Sequence, residues 1–356
     1  MNARPLRVGV DARKLLDDYR GIGRYARSLL RCWMRDARDE LALTLLVPDL
    51  FPGLIAERLH AEIGGQVPVA RTGTNSFDLV WYPWNGMTWV ARGMKIASVH
   101  DCWPFVSPAA NEAIKNNEQR PFLTTAANAD LIIADSEFGR SEIVRHLGVA
   151  REKIAVIPLG VDPPRPAATG TNDRVEAPYL LFVGQAESRK GLGTLLAAIA
   201  TLPERIRSSY QLVVVGKGQP GADGPAPAGV RAEFLGRVDD VQLDALYAGA
   251  TAFVFPSWYE GFGLPVLEAM ARGAPVIAAD AASIPEVAGD AALYFPAYDA
   301  AALSQAIARV LEDEALAQRL VAAGHARAAE FTWQRCADAT RECFETAIRT
   351  TQLAQH

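Results

Sequence analysis

Phe253-Val-Phe-Pro-Ser-Trp-Tyr-Glu-Gly-Phe-Gly-Leu-Pro-Val-Leu-Glu-Ala-Met-Ala-Arg-Gly273 is the stretch on which the fold turns. Its opening apolar run has the composition of a strand buried on both faces. A turn follows at Glu260-Gly-Phe-Gly263, where glycines let the backbone come close to a ligand. Pro265 suits the first turn of a helix, so the pattern predicts strand, turn and helix in succession. A helix start offers unpaired N–H groups and the positive end of a dipole, both favourable to phosphate. Glu260 stands before that start and Glu268 within its first turns, so both can reach a ligand seated there. A carboxylate can accept two hydrogen bonds from a ribose diol or from sugar hydroxyls.

Outward from this stretch the same unit repeats. Leu6–Asp11, Leu41–Val47, Phe77–Trp81, Lys95–Val99, Leu131–Ala134 and Ile154–Ile157 form one series of short β-prone runs. Tyr179–Val183, Gln211–Val215, Ala252–Phe255 and Pro275–Ala278 form a second. Longer segments between the runs read as helices, which predicts parallel sheets with helical cover. At 356 residues the chain suits two domains. The reading is α/β, with two Rossmann-like domains over residues 1–162 and 179–334. The Pro-, Thr- and Gly-rich segment at 163–178 is read as their linker. The segment at 216–229 is read as a surface excursion, Ala300–Leu320 as one helical stretch, and Trp333–Leu353 as an amphipathic helix. Open α/β sheets bind ligands beyond the C-terminal ends of their strands, so chemistry is expected in a cleft that both sets of strand ends face.

Glu260 and Glu268, eight positions apart around Gly-Phe-Gly-Leu-Pro, resemble the signature of the family 4 retaining glycosyltransferases of GT-B fold. Further segments resemble that family in chain order. Gly21-Ile-Gly-Arg-Tyr25 is similar to its N-terminal glycine loop, and His100-Asp101 to its active-site histidine. Val156–Asp162 is similar to its domain-joining segment, and Phe182–Leu192 to the segment that sets an Arg-Lys pair on the diphosphate. Ser283–Val287 is similar to the stretch after the donor helix. The resemblance implies donor contacts at Gly21, Gly23, Gly184, Arg189, Lys190, Glu260, Gly261, Phe262, Gly263, Leu264 and Glu268, with His100, Glu260, Arg189 and Lys190 nearest the chemistry. It also implies that a helix over about 335–356 returns to the N-terminal domain. Glu260 would hold donor-sugar hydroxyls, Glu268 the ribose, and His100 a hydroxyl or phosphate.

The residues bear on mechanism as well. The chain has no Asp-x-Asp, the kind of carboxylate arrangement that bridges a metal to a sugar diphosphate, so no metal and no cofactor are expected. Arg189, Lys190 and the helix start near Gly263 supply positive potential instead; arginine grips oxygens bidentately and lysine adds a point charge. Read alone, His100 is as compatible with a core hydrogen-bonder as with a ligand contact. The implied reaction moves a hexose from a nucleotide sugar, with mannose from GDP-mannose as the leading donor, to a cell-envelope glycan or lipid-linked acceptor. A sugar-nucleotide epimerase or a non-catalytic nucleotide-sugar binder are the competing readings. An epimerase would lack the Glu260/Glu268 pair, and a pure binder would not need both glutamates with Arg189, Lys190 and His100.

Bulk properties narrow the rest. Residues 1–162 carry 20 Lys+Arg against 19 Asp+Glu, and the remainder 16 against 22, which gives no basic surplus for nucleic acid. Cys32, Cys102, Cys336 and Cys343 have neither disulfide nor zinc spacing. No apolar run is long enough to span a membrane and Met1–Asp11 has no signal-peptide pattern, so a cytoplasmic protein is expected. Arg24, Arg27, Arg31 and Arg35 share one helical face, opposite Tyr25, Ala26, Leu29 and Trp33. That face is either solvated charge or a peripheral contact for anionic lipid head groups or a pyrophosphate-linked acceptor.

Overall fold

The computed structural model describes residues 4–18, 21–48, 52–73, 76–107, 111–165, 175, 178–185, 187–217 and 229–353. Most of the segment read as a linker, and most of the excursion after Gly216, lie outside the described residues. The chain divides into two compact units, Met1–Gly160 with Thr332–His356, and Val161–Phe331.

The N-terminal unit holds a seven-stranded, wholly parallel sheet. Its strands are β1 (Leu6–Asp11), β2 (Leu41–Val47), β3 (Val69–Arg71), β4 (Leu79–Tyr82), β5 (Met94–Val99), β6 (Leu131–Ala134) and β7 (Ile154–Val156), in the order β3-β2-β1-β4-β5-β6-β7. The order reverses between β1 and β4, and at such a switch point the strand ends splay open to form a crevice. Central strands carry continuous apolar runs because helices cover both faces. All four residues of β4, Leu79-Val-Trp-Tyr82, are buried.

The last helix, Trp333–Leu353, belongs to this unit although it follows the whole of the other. It packs on the first helix, Gly21–Asp36, where Trp33 Nε1 donates to the Ala337 carbonyl at 2.9 Å. Phe344 completes an aromatic cluster with Trp33 and Trp81, at centroid distances of 5.7 and 6.1 Å. Aromatic groups in tilted or edge-on pairs add to the stability that their burial supplies. Gly160 is required where this helix begins, since a Cβ there would lie 2.2 Å from the Trp333 amide nitrogen.

The C-terminal unit holds a six-stranded parallel sheet in the order β10-β9-β8-β11-β12-β13. The strands are β8 (Tyr179–Val183), β9 (Gln211–Val215), β10 (Ala232–Gly236), β11 (Ala252–Phe255), β12 (Val276–Ala279) and β13 (Ala292–Phe295). Its switch point falls between β8 and β11. Three strands, β3, β10 and β13, have no counterpart in the sequence reading. Each is a sheet edge; β3 and β10 lack the continuous apolar run that marks a central strand, whereas β13 is the apolar run Ala292-Leu-Tyr-Phe295. The stretch read as one helix from Ala300 is two, Ala300–Glu312 and Glu314–Ala328. Asp313 divides them by taking the Leu316 amide on its own carboxylate, as an N-cap does.

Candidate active site

In the C-terminal unit the switch point brings together the two loops that carry the motif residues. After β8 a short turn, Ser188–Lys190, ends at Gly191 with φ 69°. A Cβ at Gly191 would lie 2.3 Å from the Pro256 carbonyl oxygen, so only glycine lets this loop press against the end of β11. The β11 loop fastens to it in return. The Trp258 amide donates to the Arg189 carbonyl at 2.9 Å, and the Ser257 hydroxyl oxygen lies 3.0 Å from the same carbonyl oxygen. Trp258 Nε1 donates to the Ser188 carbonyl at 3.2 Å.

Glu260 sits buried in this seam. Its Oε1 accepts from Lys190 Nζ and from the Ser257 hydroxyl, each at 2.6 Å. Arg189 Nη1 lies 3.7 Å from Glu260 Oε2, donates to the Tyr259 carbonyl at 3.3 Å, and its Nε donates to Glu187 at 2.7 Å. Burial alone would push the Glu260 carboxyl up; Lys190 and Arg189 outweigh it and hold the group below the usual carboxylate range. The site is therefore built around an ionised acid whose oxygens already accept hydrogen bonds.

The helix beyond it, Leu264–Ala271, starts at Gly263 with φ 106°. A Cβ at Gly263 would meet Ile284 Cδ1 at 2.6 Å. The Ser283 hydroxyl bonds the carbonyls of Glu260 and Phe262, each at 2.9 Å, and fixes the Gly261–Leu264 turn from below. The Phe262 ring is buried against Phe331, centroids 5.8 Å apart, which leaves only its backbone for a ligand. Glu268 is buried on this helix and accepts from the Tyr247 hydroxyl at 3.1 Å. Gly184 ends β8, where its amide donates to the Val215 carbonyl at 2.9 Å. Arg189, Lys190 and Glu260 are thus joined by direct contacts, and Glu268 stands about one turn along the helix that follows the Glu260 turn.

In the N-terminal unit His100 follows β5 and is buried. Nδ1 lies 2.7 Å from Asp135 Oδ2 and Nε2 lies 2.9 Å from the Pro83 carbonyl oxygen, while the backbone amide donates to Asn85 Oδ1 at 2.6 Å. The ring of Tyr25 stands edge-on to the imidazole at 4.9 Å.

Two readings of this unit need correction. Gly21 and Gly23 form no loop of their own: they open the first helix, Gly21–Asp36. Glycine at 23 has an internal cause, since a Cβ there would lie 1.6 Å from the Asp18 carbonyl oxygen. The arginine face is also not a continuous exposed stripe. Arg27 is buried, donating to the Leu15 carbonyl at 3.0 Å and lying 3.9 Å from Glu62. Arg31 donates to the Glu62 carbonyl at 2.7 Å, and Arg35 pairs with Asp36 and Gln334. The helix lies against the Gly53–Ile63 segment and the last helix, which cover part of the face that periodicity alone would leave to solvent.

Ser257, Ser283, Gly191, Tyr247 and Asp135 escaped the sequence reading. The serines bind backbone carbonyls, a role with no spacing rule, and Asp135 stands 35 positions from its histidine.

Residues 170–327 match the family model described as glycosyl transferases group 1, and residues 68–165 match glycosyltransferase family 4. Both matches are to glycosyltransferase families, one over part of each unit. It is 36% identical over 234 residues to O-antigen chain mannosyltransferase B of Escherichia coli, covering 61% of each protein. It is 32% identical over 229 residues to a glycogen synthase of Mycobacterium tuberculosis, covering 62% of this chain and 55% of that one. The matched stretch thus spans less than two thirds of the length of each of these relatives. Among solved structures, sucrose-phosphate synthase from Thermosynechococcus elongatus superposes with a TM-score of 0.69 at 20% identity, over 98% of this chain and 100% of that one. That likeness speaks to the fold, which is GT-B: two Rossmann-like α/β units with parallel sheets.

Among the described residues no helix is long and apolar enough to cross a membrane, and no cluster of three or more His, Cys, Asp or Glu could hold a metal ion.

Proposed function

We propose that this chain transfers a hexose from a nucleoside diphosphate donor to a sugar or lipid-linked hydroxyl with retention at the anomeric carbon and without a metal. The observation that carries the reading is the buried Lys190–Glu260–Arg189 cluster at the C-terminal unit's switch point. It offers two cations for a diphosphate and one ionised carboxylate for sugar hydroxyls within a few ångströms. As the glycosidic bond breaks, charge grows on the leaving diphosphate. Cations already fixed in place stabilise that charge more than they stabilise the bound donor. Donor entry would draw Lys190 from Glu260 to the phosphates and free a carboxylate oxygen for hydroxyls of the sugar. Glu268 would take the ribose, and the amides at the start of the Leu264–Ala271 helix would add partial positive charge.

Retention by double displacement would need a carboxylate nucleophile on the far face of the sugar, and no residue takes that place in this reading. Same-face substitution, in which the leaving phosphate helps deprotonate the acceptor hydroxyl, fits the cation cluster. Mannose from GDP-mannose is the leading donor and a cell-envelope glycan the leading acceptor, supported by likeness to an O-antigen mannosyltransferase. Peripheral contact with an anionic surface would rest on Arg24, Arg31 and Arg35 without Arg27.

The test is a thermal-shift panel of nucleoside diphosphates and nucleotide sugars, followed by product analysis with the best binder. A ligand at a hundred times its Kd stabilises the native state by about 2.7 kcal/mol. A transferase releases the nucleoside diphosphate and glycosylates an acceptor or water. A free epimerised nucleotide sugar, or binding with no turnover in any acceptor mixture, would overturn the reading.

A further inference from the structure

Glu268 is held by a fully buried neighbour. The Tyr247 hydroxyl donates to Glu268 Oε2 at 3.1 Å, and Tyr247 exposes none of its surface while Glu268 keeps 8%. The torsion about the last bond of a glutamate side chain is broad, so the plane of an untethered carboxylate turns freely. A hydrogen bond from a fixed hydroxyl confines it. Tyr247 is itself fixed, since its ring stands edge-on to Phe253 of β11 with centroids 5.3 Å apart.

Tyr247 belongs to the helix Asp240–Gly249, which is tied to the Leu264–Ala271 helix at a second point. Asp244, three residues before Tyr247, accepts from Arg272 Nε at 2.8 Å, and Arg272 follows Glu268 by four residues. Positions three and four apart are neighbours on one helical face, so the two links lie along a single seam. Arg272 is buried and also donates to the Asp162 carbonyl at 3.0 Å. The two links fix the spacing and register of the helices, and with them the place of the Glu268 carboxylate. A phenylalanine at 247 would fill the same space, so packing alone gives no reason for the hydroxyl.

From this geometry we propose that Tyr247 is a positioning residue: it sets the Glu268 carboxylate for the two hydroxyls of a ribose, and so makes the C-terminal unit selective for nucleoside diphosphates that carry an intact ribose diol. The proposal rests on the transferase reading above, in which Glu268 takes the ribose, and names what makes that contact selective. An orientation set before binding leaves less ordering to be done on binding. A site that has placed an acceptor for a hydroxyl rejects the analogue lacking it, because the buried acceptor is left unpaired. Tyr247, without exposed surface, acts through Glu268 and touches no ligand itself.

The experiment measures dissociation constants by isothermal titration with the full chain, as wild type, Tyr247→Phe, Glu268→Ala and the double variant. The probes are guanosine diphosphate and its 2′,3′-dideoxy analogue, or the same pair for whichever base binds best in a panel. The wild type is expected to bind the ribose form at least about tenfold more tightly than the dideoxy form. In Tyr247→Phe the ribose form should weaken about three- to tenfold while the dideoxy form changes little, so the ratio falls. A purely structural tyrosine would weaken both forms alike and leave the ratio as it was. In the Glu268→Ala background, adding Tyr247→Phe should change the ratio no further. Replacing Tyr247 with 4-aminophenylalanine keeps the ring and a donor at its end, and should keep the preference.

A folded Tyr247→Phe protein with the wild-type ratio would overturn the proposal. So would a folded 4-aminophenylalanine protein without the preference, an arm that decides alone if Tyr247→Phe does not fold. If Glu268→Ala abolishes the preference and Tyr247→Phe keeps it, the proposal falls and the transferase reading stands. If the wild type binds no nucleoside diphosphate, both fall.

Discussion

Glu260 pays for its burial with two cations, and the strength of that arrangement can be measured. Removing one partner of a buried ion pair strands the other and costs about 3–5 kcal/mol. Lys190→Met should fall at the low end, because Arg189 still stands 3.7 Å from the carboxylate. Urea denaturation of Lys190→Met, Glu260→Gln and the double variant should show the double costing less than the sum of the singles. The pH dependence has a definite sign. Since the folded Glu260 carboxyl is held below its ordinary range, its contribution is complete above the unfolded value of about 4.3 and fades as pH falls toward the folded value. The stability gap between wild type and Glu260→Gln should therefore narrow in acid; a gap independent of pH would count against an ionised Glu260. Glu268→Ala should leave the fold intact and weaken nucleoside diphosphate binding by about ten- to a hundredfold, the worth of about 1.5–3 kcal/mol for a hydrogen bond to a charged group. Isothermal titration checks this, and unchanged affinity would remove Glu268 from the site. That Arg189, Lys190 and Glu260 come together was legible in the sequence through the resemblance of their segments to a known family. Ser257, Ser283 and Asp135 were not, since what they hold is backbone or a residue far along the chain.

Among the elements, central strands declared themselves, and of the four sheet edges only β7 did. Leu41–Val47 and Tyr179–Val183 read as strands from composition alone, because two covered faces demand an unbroken apolar run. β3 and β10 bury less and carry no such run. Similarly, apolar periodicity ran straight through Asp313, although that side chain caps a new helix. The first helix shows the opposite failure. Its arginines repeat at helical spacing, yet spacing cannot reveal that another segment covers one of them, as happens to Arg27. The last helix carries the clearest energetic prediction. Phe344 is fully buried against Trp33 and Trp81, and truncating such a ring to alanine costs about 3–5 kcal/mol. Phe344→Ala should lower the denaturation midpoint of the N-terminal unit while leaving nucleoside diphosphate affinity near the wild-type value, if the Glu260 cluster suffices to hold the donor. A loss confined to nucleotide binding would contradict that division.

At the scale of the whole molecule, charge stabilisation is assigned to side chains, so activity should survive chelation. Turnover in excess EDTA is expected to match turnover in magnesium or manganese; complete loss in EDTA, restored by either ion, would refute this. The two-unit plan was legible in outline because each unit repeats the alternation of strand and helix, but the chain's path was not visible from that repeat. The polypeptide leaves the N-terminal unit after Gly160 and re-enters it at Thr332. At the edge of the intervening unit, the Val161 amide donates to the Phe331 carbonyl at 3.1 Å. The C-terminal unit is therefore a cassette whose two ends already touch. A gene fragment for Val161–Phe331 should yield a folded, nucleoside-diphosphate-binding protein, and joining its ends through a short peptide should shorten its denatured chain without straining the native one. Failure of that fragment to fold would mean the cassette needs its host. Success would make that unit transplantable: whatever it recognises could be moved from one such protein to another by exchanging a single uninterrupted stretch, whereas exchanging the other half would mean replacing two separate stretches of the gene.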